Sequence, residues 1–210
     1  MKVLNLYAGL GGNRKFWKDC EVTAVEINQT IASFYASEFP GDELIVGDAH
    51  EYLLKHFKDF DFIWSSVTCQ THSRARFWVA KSESTNVEPV YPDMKLYQEI
   101  LFLKKYFDGD WIVENVVPFY SPLVHWTRKI GRHCFWSNRN LGGSFNAPEL
   151  NIHKGTRKEW ERSLGIELNG HKFDIRTDQI LRNCVHPELG RQLFDYFKDK
   201  EQETQFELKL

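Results

Sequence analysis

The sequence has little of what marks several large classes of protein. Thirteen glycines and seven prolines are under a tenth of its 210 residues, which excludes collagen-like and low-complexity chains. No uninterrupted apolar run approaches the roughly 18 residues of a membrane span, and the N-terminus enters a strand-like pattern without a signal-peptide core. The four cysteines are widely scattered, with no CxxC pair, so we expect free thiols and no metal site. These absences predict a soluble cytoplasmic protein that binds no membrane.

The chain also lacks an excess of charge of one sign, with 27 basic and 29 acidic residues. The formal net charge is −2, so binding of a polyanion would need a local cationic face. Apolar residues make up 42% of the chain and aromatic residues 15%, which is enough for one substantial, aromatic-rich core. The chain is therefore predicted to form a single domain over residues 1–210.

Short apolar runs alternate with longer amphipathic ones over the first two-thirds of the chain. Strands are predicted at Val3–Tyr7, Val22–Ile27, Leu44–Val46, Phe60–Ser65 and Trp111–Glu114. Helices are predicted at Asn28–Phe39, Tyr52–Phe57, Met94–Phe107 and Val185–Phe197. This alternation predicts an α/β fold, with a mostly parallel sheet and helices on both of its faces.

Three segments interrupt the alternation. Gln70–Pro92 is a long connection without a persistent period, which is typical of a lid or a binding loop. Residues of about 138–180 are polar and punctuated by glycine, and are predicted to form a small C-terminal insertion with one helix at Thr156–Leu164. The charged stretch Lys198–Leu210 is predicted to be a solvated tail.

A glycine-rich turn follows the first predicted strand. Gly9, Gly11 and Gly12 allow a tight turn, and a helix expected after it would place its N-terminus against a nucleotide-like ligand. Glu26 ends the second strand, where a carboxylate can accept both hydroxyl protons of a ribose. Asp48 follows the third strand and could accept a hydrogen bond from an adenine amine. These positions predict an adenosine site; the alternative is that both acids cap the helices that follow them.

Two more strand ends carry groups that suit catalysis. Cys69 follows the fourth strand in a polar sequence, beside a loop that contains Arg74 and Arg76. Nearby cations lower the pKa of a thiol, so we predict a reactive cysteine rather than a small buried apolar side chain. Glu114 ends the fifth strand, and apolar neighbours would keep it protonated as a hydrogen-bond donor. The alternative for Glu114 is a helix cap or a salt-bridged surface acid.

Together these positions resemble the motifs of the DNA cytosine-5 methyltransferases, of the small type found in phage and restriction–modification systems. Tyr7–Gly12 resembles the glycine motif of the family, and Thr68–Ser73 resembles its nucleophile motif. Glu114–Val116 repeats its Glu-Asn-Val motif unchanged, and Asn183–Pro187 resembles its late Asn-x-Val-x-Pro motif. All four occur in the order of the family. The resemblance implies the Rossmann-like fold of S-adenosylmethionine (SAM)-dependent methyltransferases.

The same resemblance implies SAM as methyl donor and a flipped-out cytosine of DNA as acceptor. Cys69 would add to C6 of the base and so activate C5, while Glu114 would hydrogen-bond N3 and the exocyclic amine. Arg132 lies in the stretch nearest to the paired-arginine motif of the family and is the third catalytic candidate. The implied cofactor-binding residues are Tyr7, Gly9, Gly11, Gly12, Glu26, Ile27, Asp48 and Asn183.

The chain departs from the family at several points. Thr68 stands where the family has proline, and His72 where it has phenylalanine. The family usually carries a target-recognition domain before its last motif, but only about residues 138–180 are available here, which is less than an ordinary domain. We therefore expect a short target sequence, weak specificity, or a partner subunit or DNA-reading protein, in the cytoplasm of a bacterium or a phage-infected cell.

Three other functions share some or all of these motifs. An RNA cytosine-5 methyltransferase would share every one of them. A catalytically inactive, cofactor-binding regulatory homologue would explain Thr68 and the short insertion. A nicotinamide oxidoreductase on the same fold is the generic alternative, but it leaves the cysteine and Glu-Asn-Val motifs unexplained.

Overall fold

The computed structural model describes residues 1–82, 86–146, 148, 150, 154–168 and 170–207, with side chains described up to residue 199. The strands are β1 (Lys2–Leu6), β2 (Glu21–Glu26), β3 (Glu43–Val46), β4 (Phe62–Ser65), β5 (Asp110–Val116), β6 (Arg128–Ile130) and β7 (His133–Ser137). The helices are α1 (Gln29–Glu38), α2 (Ala49–His56), α3 (Arg74–Lys81), α4 (Lys95–Tyr106), α5 (Arg157–Leu164), α6 (Thr177–Asn183) and α7 (Pro187–Glu207).

The strands form one sheet in the order β3-β2-β1-β4-β5-β7-β6. Strands β1 to β5 pair in parallel, whereas β7 runs antiparallel to both β5 and β6. The chain leaves β1 in one direction for β2 and returns to the other side of β1 for β4. The carboxyl ends of the parallel strands therefore meet at a point where the strand order reverses, the usual place of a ligand site in such sheets.

Side chains alternate between two apolar layers, one on each face of the sheet. Leu4 and Val113 pack with buried residues of α2 and α4, while their neighbours Val3 and Ile112 pack with buried residues of α7. All four are fully buried. The predicted mostly parallel sheet with helices on both faces is confirmed.

The prediction of a helix directly after β1 is wrong, because residues 7–20 form a series of turns. The Arg14 guanidinium makes two hydrogen bonds of 2.8 Å to the Asp42 carboxylate, which draws the segment across the end of α1. Trp17 stacks on Phe194 of α7 at 4.8 Å between ring centroids and donates from Nε1 to the Gly190 carbonyl at 3.1 Å. These long-range contacts fix the turns, and a local sequence pattern does not reveal them.

Five further elements differ from the prediction. The long connection after β4 contains α3, which buries none of its residues and so has no apolar stripe to reveal it. The two strands β6 and β7 and the short helix α6 were not predicted. Helix α7 runs on to Glu207 in place of the predicted solvated tail, of which residues 208–210 lie outside the described part of the chain.

The predicted insertion packs on the rest of the molecule. Trp160 and Leu164 of α5 share a buried cluster with Ile31 and Phe34 of α1 and with residues of α6. Within it, residues 147, 149, 151–153 and 169 lie outside the described residues. Across the part that is described, no helix is both long and apolar enough to cross a membrane.

Gly190 of α7 allows the closest approach between that helix and the turns after β1. A Cβ atom there would lie 2.3 Å from the carbonyl oxygen and 2.6 Å from the Cα of Asn13, both backbone atoms. We expect Gly190→Ala to lower the free energy of unfolding by about 2–3 kcal/mol, as overpacking of a tight core does. Urea denaturation of the variant and of the wild type measures this difference in the free energy of unfolding. The control is Gly41→Ala, where a Cβ meets open space; equal effects of the two variants would contradict this packing.

Candidate active site

A cavity of about 370 Å³ opens at the carboxyl ends of the parallel strands. Ten of the eleven residues predicted for catalysis or cofactor binding line it: Tyr7, Gly9, Gly12, Glu26, Ile27, Asp48, Cys69, Glu114, Arg132 and Asn183. Gly11 is placed outside the lining. Its φ is +76°, and a Cβ atom there would lie 2.2 Å from Cε2 of Phe39, so Gly11 serves the packing of the turn against the end of α1.

Glu26 is held by the backbone on both sides. Its Oε2 accepts a hydrogen bond from the Gly9 N–H at 3.0 Å, and its Oε1 accepts one from the Asn28 N–H at 2.8 Å. Burial raises the pKa of this carboxyl above its usual value. The alternative that Glu26 caps α1 is wrong, because the Asn28 side chain caps that helix. Beside Glu26, the Ile27 side chain lines the cavity and is 68% exposed.

Asp48 does cap the helix that follows it. Its Oδ1 accepts a hydrogen bond from the His50 N–H at 2.8 Å, at the N-terminus of α2. Its Oδ2 accepts one from Lys95 Nζ at 2.9 Å, and this bond is the main cause that lowers the pKa of Asp48. For Asp48 the capping alternative therefore holds, and a ligand amine would share Oδ2 with a lysine that the sequence reasoning did not include.

A buried polar network lies beneath the glycine turn. The Tyr7 hydroxyl donates to Oε1 of Glu99 at 2.5 Å, and Nδ1 of His50 lies 2.9 Å from the same oxygen. The Ser65 hydroxyl donates to Oε2 of Glu99 at 2.6 Å. Burial, followed by the negative charge of Glu99, raises the pKa of Tyr7. Tyr7 is thereby fixed at φ +55°, an uncommon conformation for a residue other than glycine.

Sequence reasoning missed Glu99, although the sequence contains a signal for it. Glu99 follows Leu96 by three positions and precedes Leu103 by four, so it lies on the apolar stripe of α4. A charged residue on such a stripe needs partners, since an unpaired buried charge is costly. Glu99 is 1% exposed and has three hydrogen-bonding partners.

The loop that carries Cys69 is tied to the Glu-Asn-Val segment. The Asn115 side-chain amide donates to the Val67 carbonyl at 2.9 Å, two residues before the cysteine. The backbone carbonyl of Cys69 accepts a hydrogen bond from the His72 N–H at 3.0 Å, and this bond begins the turn that leads into α3. These bonds shape the turn at which the family has proline and this chain has Thr68.

The Cys69 thiol has one hydrogen-bonding partner and is affected by the charges of Glu114 and Arg132. Its Sγ donates to Oδ1 of Asn183 at 3.7 Å. Burial and the negative charge of Glu114 raise the pKa of Cys69 to about 11, and the positive charge of Arg132 opposes them. The predicted lowering of the pKa is therefore wrong. Burial outweighs the charge of Arg132, which comes from the turn before β7 and not from the loop after the cysteine.

Glu114 faces a histidine that the sequence reasoning did not single out. Its Oε1 lies 2.5 Å from Nδ1 of His133, and each residue is 6% exposed. The alternative of a surface acid for Glu114 is therefore wrong. Because Val116 on β5 pairs with His133 on β7, Glu114 and His133 are diagonal neighbours on one face of the sheet. The antiparallel β7 was not predicted, so this neighbour could not be found.

The segment between α6 and α7 closes the cavity. Arg132 Nη2 donates to the Cys184 carbonyl at 3.0 Å. On the glycine turn, a Cβ atom at Gly12 would lie 2.5 Å from the Val185 carbonyl oxygen. Together with the contact between Asn183 and the thiol, these contacts bring the late motif against the glycine turn, the cysteine loop and Arg132.

The strand order, the antiparallel β7 and the cavity at the strand ends define the class. This is the Rossmann-like fold of SAM-dependent methyltransferases, as predicted. In the sequence comparison, residues 1–86 match the model described as C-5 cytosine-specific DNA methylase. The predicted resemblance to the cytosine-5 methyltransferases is thereby confirmed, on the part of the chain that ends shortly after α3.

Solved structures of methyltransferases are also similar to the chain. A DNMT2 mutant from Spodoptera frugiperda is 27% identical, with a TM-score of 0.38, over 55% of this chain and 35% of that one. A TehB-like SAM-dependent methyltransferase from Corynebacterium glutamicum is 16% identical, with a TM-score of 0.35, over 55% of this chain and 54% of that one. The chain thus spans about a third and about half of their lengths. No curated protein sequence matches the chain.

Proposed function

We propose that the protein transfers a methyl group from SAM to C5 of cytosine in DNA, through a covalent bond between Cys69 and C6. One observation carries the proposal: the Cys69 thiol and the buried Glu114 carboxyl line a single cavity with the glycine turn and Glu26. The charge of Glu114 also raises the pKa of the thiol, so the two groups share one electrostatic environment in this cavity.

The residues of the cavity fit SAM. Glu26 has both carboxylate oxygens fixed by backbone N–H groups, and each oxygen keeps a lone pair for a ribose hydroxyl. The exposed side chain of Ile27 offers an apolar surface beside Glu26 for a flat ring. When bound, the cofactor supplies an electrophilic methyl group on a positively charged sulfur.

The side chains then divide the chemistry on the base. Cys69 loses its proton to solvent, and the sulfur of the thiolate bonds to C6, which pushes the electron pair of the C5–C6 double bond into the ring. Arg132 favours the thiolate, since its charge lowers the pKa of the thiol. Glu114 binds the edge of the ring and stabilises the electron density that reaches N3. After C5 has taken the methyl group and lost its proton to solvent, the C6–S bond breaks and the aromatic ring is restored.

Cytosine with fluorine at C5 tests this proposal, because fluorine does not leave as a cation and the adduct is trapped. The probes are random-sequence duplex DNA and random-sequence RNA, both containing 5-fluorocytosine. We expect a denaturation-resistant adduct with DNA that requires SAM and is absent with unmodified cytosine. An adduct with RNA alone would favour an RNA methyltransferase. No adduct with either polymer, despite SAM binding, would favour a regulatory homologue; both results would overturn the proposal.

A further inference from the structure

Glu114 and His133 form a buried acid–base contact in the wall of the cavity. Among the described residues, it is the one such contact for which the mechanism above gives no role. Nδ1 of His133 and Oε1 of Glu114 lie 2.5 Å apart. No other hydrogen bond to Glu114 is found within the described residues, so its second oxygen remains available to a ligand. One proton therefore lies between two groups that can both ionise.

The second nitrogen of His133 is accessible to solvent. Nε2 makes no hydrogen bond within the described residues, and it does not belong to the buried side-chain atoms that lack a partner there. It therefore keeps contact with solvent, and His133 lines the cavity. The imidazole therefore has one nitrogen at the Glu114 carboxyl and a second nitrogen in contact with solvent.

The charge of Glu114 also matters for the thiol. Its negative charge raises the pKa of Cys69, so an unprotonated Glu114 opposes formation of the thiolate that adds to C6. A proton held jointly with His133 reduces this negative charge. The same proton can be donated to the base when Cys69 adds, because the electron pair displaced from the C5–C6 bond increases the basicity of N3.

We propose that His133 is the positioning residue that orients Glu114 and keeps it supplied with the proton that it donates to N3 of cytosine. The inference rests on the proposed function. When sulfur bonds to C6, the shared proton moves from the Glu114–His133 pair to N3. When the C5 proton has left to solvent and the C6–S bond breaks, N3 returns its proton to the pair, so no proton is gained or lost at this site over a turnover.

The test compares His133→Phe with His133→Asn in steady-state methyl transfer to random-sequence duplex DNA. We expect His133→Phe to lower kcat about 100-fold, in the range of a lost general acid, with KM for DNA and the Kd of SAM within threefold of wild type. Asn can place an amide N–H where Nδ1 lies, so we expect His133→Asn to restore kcat to within about tenfold of wild type. His56→Phe is the matched control, because His56 also contacts a carboxylate, at 3.4 Å from Asp59, and lies outside the cavity.

The outcomes separate this inference from the proposed function. A folded His133→Phe variant with kcat within threefold of wild type overturns the inference alone. If the wild-type protein methylates neither duplex DNA nor RNA, the proposed function is overturned, and the inference with it. If His133→Phe does not fold, His133→Asn is compared with His133→Gln, which places its amide nearer to Nε2. The inference requires Asn to be at least about tenfold faster, and equal rates overturn it.

Discussion

Replacement of Cys69 by alanine is expected to reduce methyl transfer by about 10⁴-fold or more, as loss of an enzymic nucleophile does. Cytosine C5 is a poor nucleophile until a group adds at C6. Cys69 lines the cavity, and its thiol is affected by the charge of Glu114. Transfer of radiolabelled methyl groups to random-sequence duplex DNA measures the loss. The affinity for SAM, measured by calorimetry, is expected to stay within threefold, because no hydrogen bond among the described residues joins Cys69 to the glycine turn.

The matched control is Cys20→Ala. Cys20 is a free, half-buried thiol that does not line the cavity, so its loss tests whether removal of any thiol lowers the rate. We expect the Cys20→Ala rate to remain within threefold of wild type. A Cys69→Ala variant that retains a tenth of the wild-type rate would contradict covalent catalysis by this residue.

Alkylation of Cys69 is expected to become about 1,000-fold faster between pH 7 and pH 10 in the substrate-free protein. The pKa of Cys69 is raised to about 11, so the thiol is protonated below that pH. Only the thiolate reacts with iodoacetamide, and its fraction grows about tenfold with each pH unit until the pKa is approached. Mass spectrometry of the Cys69 peptide measures the rate.

Two variants test the causes of this shift. Glu114→Gln removes the charge that raises the pKa of Cys69, so alkylation at pH 8 is expected to be faster than in wild type. Arg132→Ala removes the charge that lowers this pKa, so alkylation is expected to be slower. A rate that levels off below pH 9 in wild type would show that the thiol ionises near its ordinary pKa, and would contradict the dominant effect of burial.

The parallel part of the sheet was predictable because its strands are short apolar runs between amphipathic helices. Residues at the ends of those strands then had to meet, which is why Glu26, Cys69 and Glu114 were found as a group. The resemblance to the family added Arg132 and Asn183, which no strand end would have indicated. All five line the same cavity.

The elements that were missed depend on contacts between distant parts of the chain. The turns after β1 depend on the pairing of Arg14 with Asp42 and on Trp17 beneath α7, so no local pattern separates them from a helix. The partner of Glu114 stands on an antiparallel strand that interrupts the alternation. The pKa of Cys69 is raised, whereas the sequence predicted that it would be lowered. Cations near the cysteine in the sequence do not indicate how deeply the folded protein buries the thiol, and burial has the larger effect.

The contacts of Asn183, Cys184 and Val185 with the cysteine loop, Arg132 and the glycine turn have a consequence for biosynthesis. A ribosome translates these residues only after all five parallel strands, β1 to β5. The growing polypeptide can complete the parallel strands β1 to β5 before that, but it cannot yet close the wall of the cavity around Cys69. The cavity is therefore completed only after the junction between α6 and α7 has emerged from the ribosome and docked.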